Sequence, residues 1–184
     1  MTEVLLTSEA FVRNTTNVSD NLAGKFLQSS IREAQEVGLR HILGDALTDS
    51  IKAKVADRSI DAEENAAYKD LLERAQYFIA YSAIVEVVMK VSYKIDNFGL
   101  SRTTDENQSF ASFDEVAKQR YYYQAKADGC ANALQRWILD HRTAFPELTE
   151  AACNQLRANL VSSASCGIWL GGPRGFMRKG GRRK

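Results

Sequence analysis

Proline is almost absent from this chain. Pro146 and Pro173 are the only two, and long stretches contain no glycine. Proline locks its backbone angle and lacks an amide donor, and glycine populates turn conformations, so a chain sparing in both is written for helices. We therefore expect an all-α fold. The length of 184 residues suits one domain, and 45% apolar residues suffice for a hydrophobic core.

Helix starts can be read from capping chemistry. Thr7-Ser8-Glu9 places a hydroxyl and then an acid ahead of AFVRN, predicting a short first helix. Ser19 or Asp20 is the expected start of a second helix, whose apolar positions Leu22, Phe26, Leu27, Ile31, Ala34 and Val37 follow helical spacing. Gly38 is read as its end or a kink. Gly44-Asp45 punctuates the chain before a helix over 46–55, and the polar connector 59–65 leads to a central helix over 66–95. Two apolar stripes on that helix, one through Leu71, Ala75 and Ile79 and one through Tyr77, Tyr81, Ile84 and Val88, predict a second half buried nearly all round. Glu86 and Lys90 are spaced to pair along it. NFGLSRTTDENQSFA, residues 97–111, has no helical period and is expected to be an extended arm or hairpin touching a neighbour. Ser112 or Asp114 should open a long helix reaching about Ala144, with Val116, Tyr123, Ala127, Cys130, Leu134 and Ile138 at core spacing, ended by Pro146. A last helix over 149–162, capped by Thr149, completes a bundle of about four to six helices. The bundle is expected to occupy residues 1–166, and an extended Gly/Arg-rich tail residues 167–184.

Charge separates body from tail. Residues 167–184 carry six bases and no acid, leaving 18 basic against 23 acidic groups in residues 1–166. The body is thus near −5 and the tail +6. In the tail, Ile168, Trp169, Leu170, Arg174 and Phe176 mix the residue types that anchor protein interfaces. Arg178, Lys179, Arg182, Arg183 and Lys184 form its electrostatic end, suited to DNA or an acidic partner.

Little in the sequence points to catalysis. His41 and His141 lack the spacing that places two ligands on one helical face, the three cysteines have no CxxC arrangement, and the carboxylates are scattered over helix surfaces. We expect no catalytic residue, no cofactor and no metal. The glycines of GGPRG lack the order of a phosphate loop. Tyr121, Tyr122 and Tyr123 point in three directions from a helix, which favours core and interface packing over a nucleic-acid platform. The apolar window 75–91 is shorter than a membrane span and reads as a buried helix. The N-terminus shows no signal peptide, so the three N-x-S/T matches at Asn14, Asn17 and Asn107 are read as chance, and synthesis in the cytoplasm is expected.

Two stretches carry a resemblance. LLTSEAFVRNTTNVSDNLAGKFLQSSIREAQEVGLRHILGDAL and the closing CGIWLGGPRG resemble a family of uncharacterised proteins from phages and prophages of Bacteroides-type gut bacteria. More distantly, the short TSEAFV helix, the long amphipathic helix ending near Leu43-Gly44 and the later packed helices look like the head-to-tail connector adaptors of tailed phages. That resemblance implies a structural virion protein of the neck, forming a ring, typically dodecameric, beneath the portal. It implies contact with portal and with tail or neck proteins, docking through Ile168, Trp169, Leu170, Arg174 and Phe176, and DNA passing through the ring without sequence-specific binding. The alternative from the residues alone is a nucleic-acid-binding helical protein that uses its basic C-terminal arm.

Overall fold

Ser8 caps the first helix as its hydroxyl predicts. Its side chain accepts the Phe11 amide at 3.1 Å, α1 runs Glu9–Thr16, and Asn17 closes it in the left-handed region at φ 61°. The computed structural model describes residues 4–96, 99–102 and 112–164.

The second helix begins later than expected. α2 is Gly24–Glu33, and Ser19 and Asp20 lie in the turn before it. The Arg13 guanidinium reaches across from α1 and donates to the carbonyls of Ser19 and Leu22 at 2.7 and 2.8 Å. Those bonds satisfy the turn and hold it non-helical. From α2 the chain continues without a break through a π-helical segment, Ala34–Leu39, into α3, Arg40–Leu43. Gly38 therefore sits inside a widened turn rather than at a helix end. A Cβ there would lie 3.1 Å from the Phe78 ring, so its absence allows the close approach of the central helix.

Gly44 turns the chain at φ +78°, and α4 follows as Asp45–Ala56. Two 3-10 turns, Ser59–Asp61 and Glu63–Asn65, lead into α5, Ala66–Ser92. The expected helical residues 93–95 are instead strand. β1, Tyr93–Asp96, pairs antiparallel with β2, Gly99–Arg102, in a register of Tyr93 with Arg102 and Asp96 with Gly99. The ladder gives these residues backbone partners that a fraying helix end would leave unpaired. The expected hairpin is thus present at the base of the arm, and the remainder of 97–111 lies outside the described residues. α6 spans Phe113–Asp140, a 3-10 turn Arg142–Ala144 follows, and α7 is Glu150–Ala164. The long helix stops at Asp140, short of Ala144, where the chain tightens ahead of Pro146.

With α2, the π segment and α3 taken as one rod, the described residues form an all-α bundle of six rods carrying a two-stranded hairpin. α5 is its axis, packed along α6, α2, the π segment and α1. Leu71, Ala75, Phe78, Ile79, Ala83 and Ile84 are buried along its length. Burial all round fails at its end, where Met89 and Val91 are exposed. Lys90 does not serve Glu86; its ammonium meets Glu33 of α2 at 2.7 Å and the Ser30 hydroxyl at 3.1 Å. No helix among the described residues is long and apolar enough to cross a membrane.

The extended segment before α1 is held by two side-chain amides. Gln35, fully buried, accepts the Leu6 amide at 2.8 Å and donates to the Val4 carbonyl at 3.0 Å, while Gln76 donates to the Leu6 carbonyl at 2.9 Å. The amide of Gln35 stands in for a neighbouring strand.

Candidate interaction surface

α6 carries the most exposed aromatics of the described bundle, and its sequence sets how it presents them. Ser112 and Glu115 form a reciprocal capping box that fixes the helix start. Tyr123, Ala127, Leu134 and Ile138 make the buried stripe. The Tyr123 hydroxyl also donates to the Thr16 carbonyl at 3.0 Å, pinning the rotation of α6 against α1. At 100° per residue the two preceding tyrosines must then emerge outward. Tyr121 is 76% exposed and Tyr122 51%.

The two tyrosines lean to opposite flanks. Tyr121 joins Met89, Phe113, Val116, Ala117 and Arg120 around a shallow depression of about 280 Å³, and Phe113 is 69% exposed. On the other flank the Lys126 ammonium stands over two rings, 4.6 Å from the centroid of Tyr122 and 5.2 Å from that of Tyr81. The Tyr122 hydroxyl beside it holds that ammonium above the ordinary lysine range. Tyrosine, methionine and arginine are enriched where proteins bind proteins, and contiguous exposed apolar side chains of this kind mark interaction sites. A wider open groove of about 1250 Å³ adjoins, floored by Val87, Val88, Val91 and Val116 and rimmed by Asn17, Asn21 and Gln119.

The polar clusters elsewhere act as fasteners. Arg40 pairs with Glu36, Asp45 and Asp49, and Lys52 with Glu36, tying the π segment to α4 across Gly44. The Lys52 contact keeps the Glu36 carboxyl below its usual range. The Tyr68 hydroxyl lies 2.8 and 2.9 Å from the two Glu147 oxygens, joining the α6–α7 corner to α5. Burial, then Glu147, pushes the Tyr68 phenol up to about 12. Burial works to raise Glu147, but hydrogen bonds from Ser50 and Tyr68 and the Lys54 charge outweigh it and leave the carboxyl low. His141 donates from Nδ1 to the Trp137 carbonyl, 2.8 Å away, and stacks on the Trp137 ring. Among the described residues no group of three or more His, Cys, Asp or Glu side chains is placed to hold a metal ion.

The residues singled out for partner docking, Ile168, Trp169, Leu170, Arg174 and Phe176, lie outside the described residues, as do Arg178, Lys179, Arg182, Arg183 and Lys184. The α6 surface was legible only in part. Phe113, Ala117, Tyr121 and Gln124 recur at helical spacing and form a second stripe beside the core stripe, a signal that could have marked it.

Fold and surface together define an all-α bundle with an exposed aromatic face built around its longest helix. Residues 39–158 match the model of a family of unknown function, DUF6712, and the chain belongs to that family. No curated protein and no solved structure matches it.

Proposed function

We propose that this chain is a structural subunit of a tailed-phage neck. In this reading it is a head-to-tail connector adaptor that assembles as a ring, typically dodecameric, docks on the portal and continues the DNA channel. The observation that carries the reading is the exposed α6 face: Phe113, Tyr121 and Tyr122 stay largely outside the bundle, with the exposed Met89 of α5 beside them. Such side chains lose hydrophobic stabilisation unless a partner covers them. The helical bundle, the connector-like pattern of a short first helix, a long helix ending near Leu43-Gly44 and later packed helices, and the acidic body support it further. A body near −5 suits a wall past which DNA slides, because grip on phosphates requires clustered cations. The tail residues Ile168 to Phe176 are its portal-docking element, and the virion neck is its location.

The test is electron microscopy of the full chain and of a 1–166 truncation, each mixed with a tailed-phage portal protein from the same source. Rings on the portal from the full chain alone support the reading. A second reading, nucleic-acid binding through Arg178 to Lys184, is favoured by the +6 tail. DNA binding that falls steeply with salt, without portal association, replaces the first reading with the second.

A further inference from the structure

The flank of α6 that carries Tyr121 is covered at one end and bare at the other. At 100° per residue Ala117, Tyr121, Gln124, Ala131 and Gln135 point within about 80° of one another. Gln135 is buried and Ala131 half-buried, whereas Gln124, Tyr121 and Ala117 are exposed. α3 and α7 both pack on α6, and α5 runs antiparallel to it, with Arg74 over Trp137, Tyr81 under Lys126 and Met89 beside Phe113 and Tyr121. The bare end of the flank therefore lies beside the last turns of α5.

α7 heads toward that end. It begins beside the turn that follows α6, where Glu150 meets Arg142 at 3.6 Å, and by Leu156 and Asn159 it has reached α3. α3 follows directly on the segment of Gly38, which faces Phe78 and Ser82 in the middle of α5. α7 thus climbs from the start of α5 toward its middle, and its last residue, Ala164, stands five positions before Trp169. From Ser82 to Met89 is about 10 Å along the axis, and five extended residues span up to about 17 Å. The depression between Met89, Phe113, Val116, Ala117 and Tyr121 is within reach of the chain that leaves α7.

Charge does not choose its occupant, because Lys118, Arg120 and Lys126 on this stretch of α6 are balanced by Asp114, Glu115 and Asp128. Apolar character does. No charged residue stands between Arg157 and Arg174, and that interval contains Ile168, Trp169 and Leu170. Apolar side chains are stabilised by removal from water, so an uncovered apolar depression and an apolar run tethered beside it stabilise one another.

We infer that Ile168, Trp169 and Leu170 fold back onto the Met89–Phe113–Tyr121 depression of their own subunit. The contact stands without the ring reading and adds a control to it: one tail serves either this depression or the portal. A portal that draws the tail off uncovers the α6 face for the neighbouring subunit, and free chains keep that face closed until a portal is present.

The test uses the isolated full chain and no portal, so its outcome is separate from that of the ring reading. Tryptophan fluorescence is recorded for the parent and for the variants Ala117→Glu and Tyr121→Glu, each with and without Trp169→Phe, and thermal melting verifies folding. The difference between each pair isolates Trp169 from Trp137. In the parent, Trp169 should emit to the blue of its position in urea and be quenched by acrylamide several-fold more slowly. Each glutamate places a carboxylate in the depression and should return Trp169 to the emission and quenching of the unfolded chain. Both positions are exposed, so native-like melting is expected. A Trp169 as accessible in the parent as in urea overturns the contact, and so does shielding that neither variant removes. Shielding that rises with protein concentration assigns the tail to a second copy and overturns the fold-back within one chain.

Discussion

Gln35 offers the sharpest test of how the bundle holds its N-terminal segment. Its side chain is fully buried, with the carbonyl oxygen on the Leu6 amide and the amide nitrogen on the Val4 carbonyl. In Gln35→Leu the shape is roughly kept and both bonds are lost, together with the one from the amide nitrogen to the Glu36 carboxylate. An orphaned buried amide costs about 1–3 kcal/mol, and the lost Val4 bond adds about 0.5–1.5. The expected loss is therefore about 2–4 kcal/mol. With a urea slope of about 2 kcal/mol per molar, the midpoint should fall by about 1–2 M. Hydrogen exchange supplies an independent reading, because the Leu6 amide should lose its protection while the amides of α6 lose only what global stability dictates. Gln35→Glu retains the acceptor but sets a carboxylate against Glu36, whose Oε1 now receives the Gln35 amide at 3.0 Å. It should be at least as destabilised as the leucine variant, and partly relieved at low pH. A leucine variant with an unchanged midpoint and a still-protected Leu6 amide would refute this account of the strap.

Two glycines should respond for different reasons. Gly38→Leu drives its side chain into the Phe78 ring and should cost about 1–3 kcal/mol in urea unfolding; Gly44→Ala meets open space but is strained at φ +78°, costing about 1 kcal/mol. The Glu147 carboxyl is held below its ordinary value of 4.5 in the folded state, so its contribution is full above that pH and is lost as pH falls through the lower folded value. Melting temperatures measured from pH 7 down to 3 should therefore drop less in Glu147→Gln than in the parent. Cys153 is buried, and Cys130 is half-buried with burial raising its thiol, so in a Cys166→Ser chain thiol labelling at pH 7.5 should be slow. Cys130 should label first, and Cys153 only on unfolding.

The local signals were legible where local chemistry decides. Ser8, Gly44 and Ser112 mark boundaries that the structure keeps, because a cap or a positive φ is settled within a few residues. Readings failed where a distant partner intervened. The start of α2 moved because Arg13 holds the preceding turn, and Lys90 left Glu86 for a carboxylate 57 positions earlier in the chain. The π segment had no local sign beyond Gly38, since its reason lies in Phe78 and in the strap bonded to Gln35. The tyrosine run was legible by contrast: Tyr123 was read at core spacing, and it is the ring that turns inward, where its hydroxyl also meets the Thr16 carbonyl 107 positions away.

β1 begins at the residue after the last residue of α5. No linker separates β1 from the axis of the bundle. A load taken up at the hairpin passes straight into the helix against which α1, α2 and α6 are packed, and the whole core resists it together. The described strands are thus a direct extension of the central helix, and a partner gripping them would position the entire subunit.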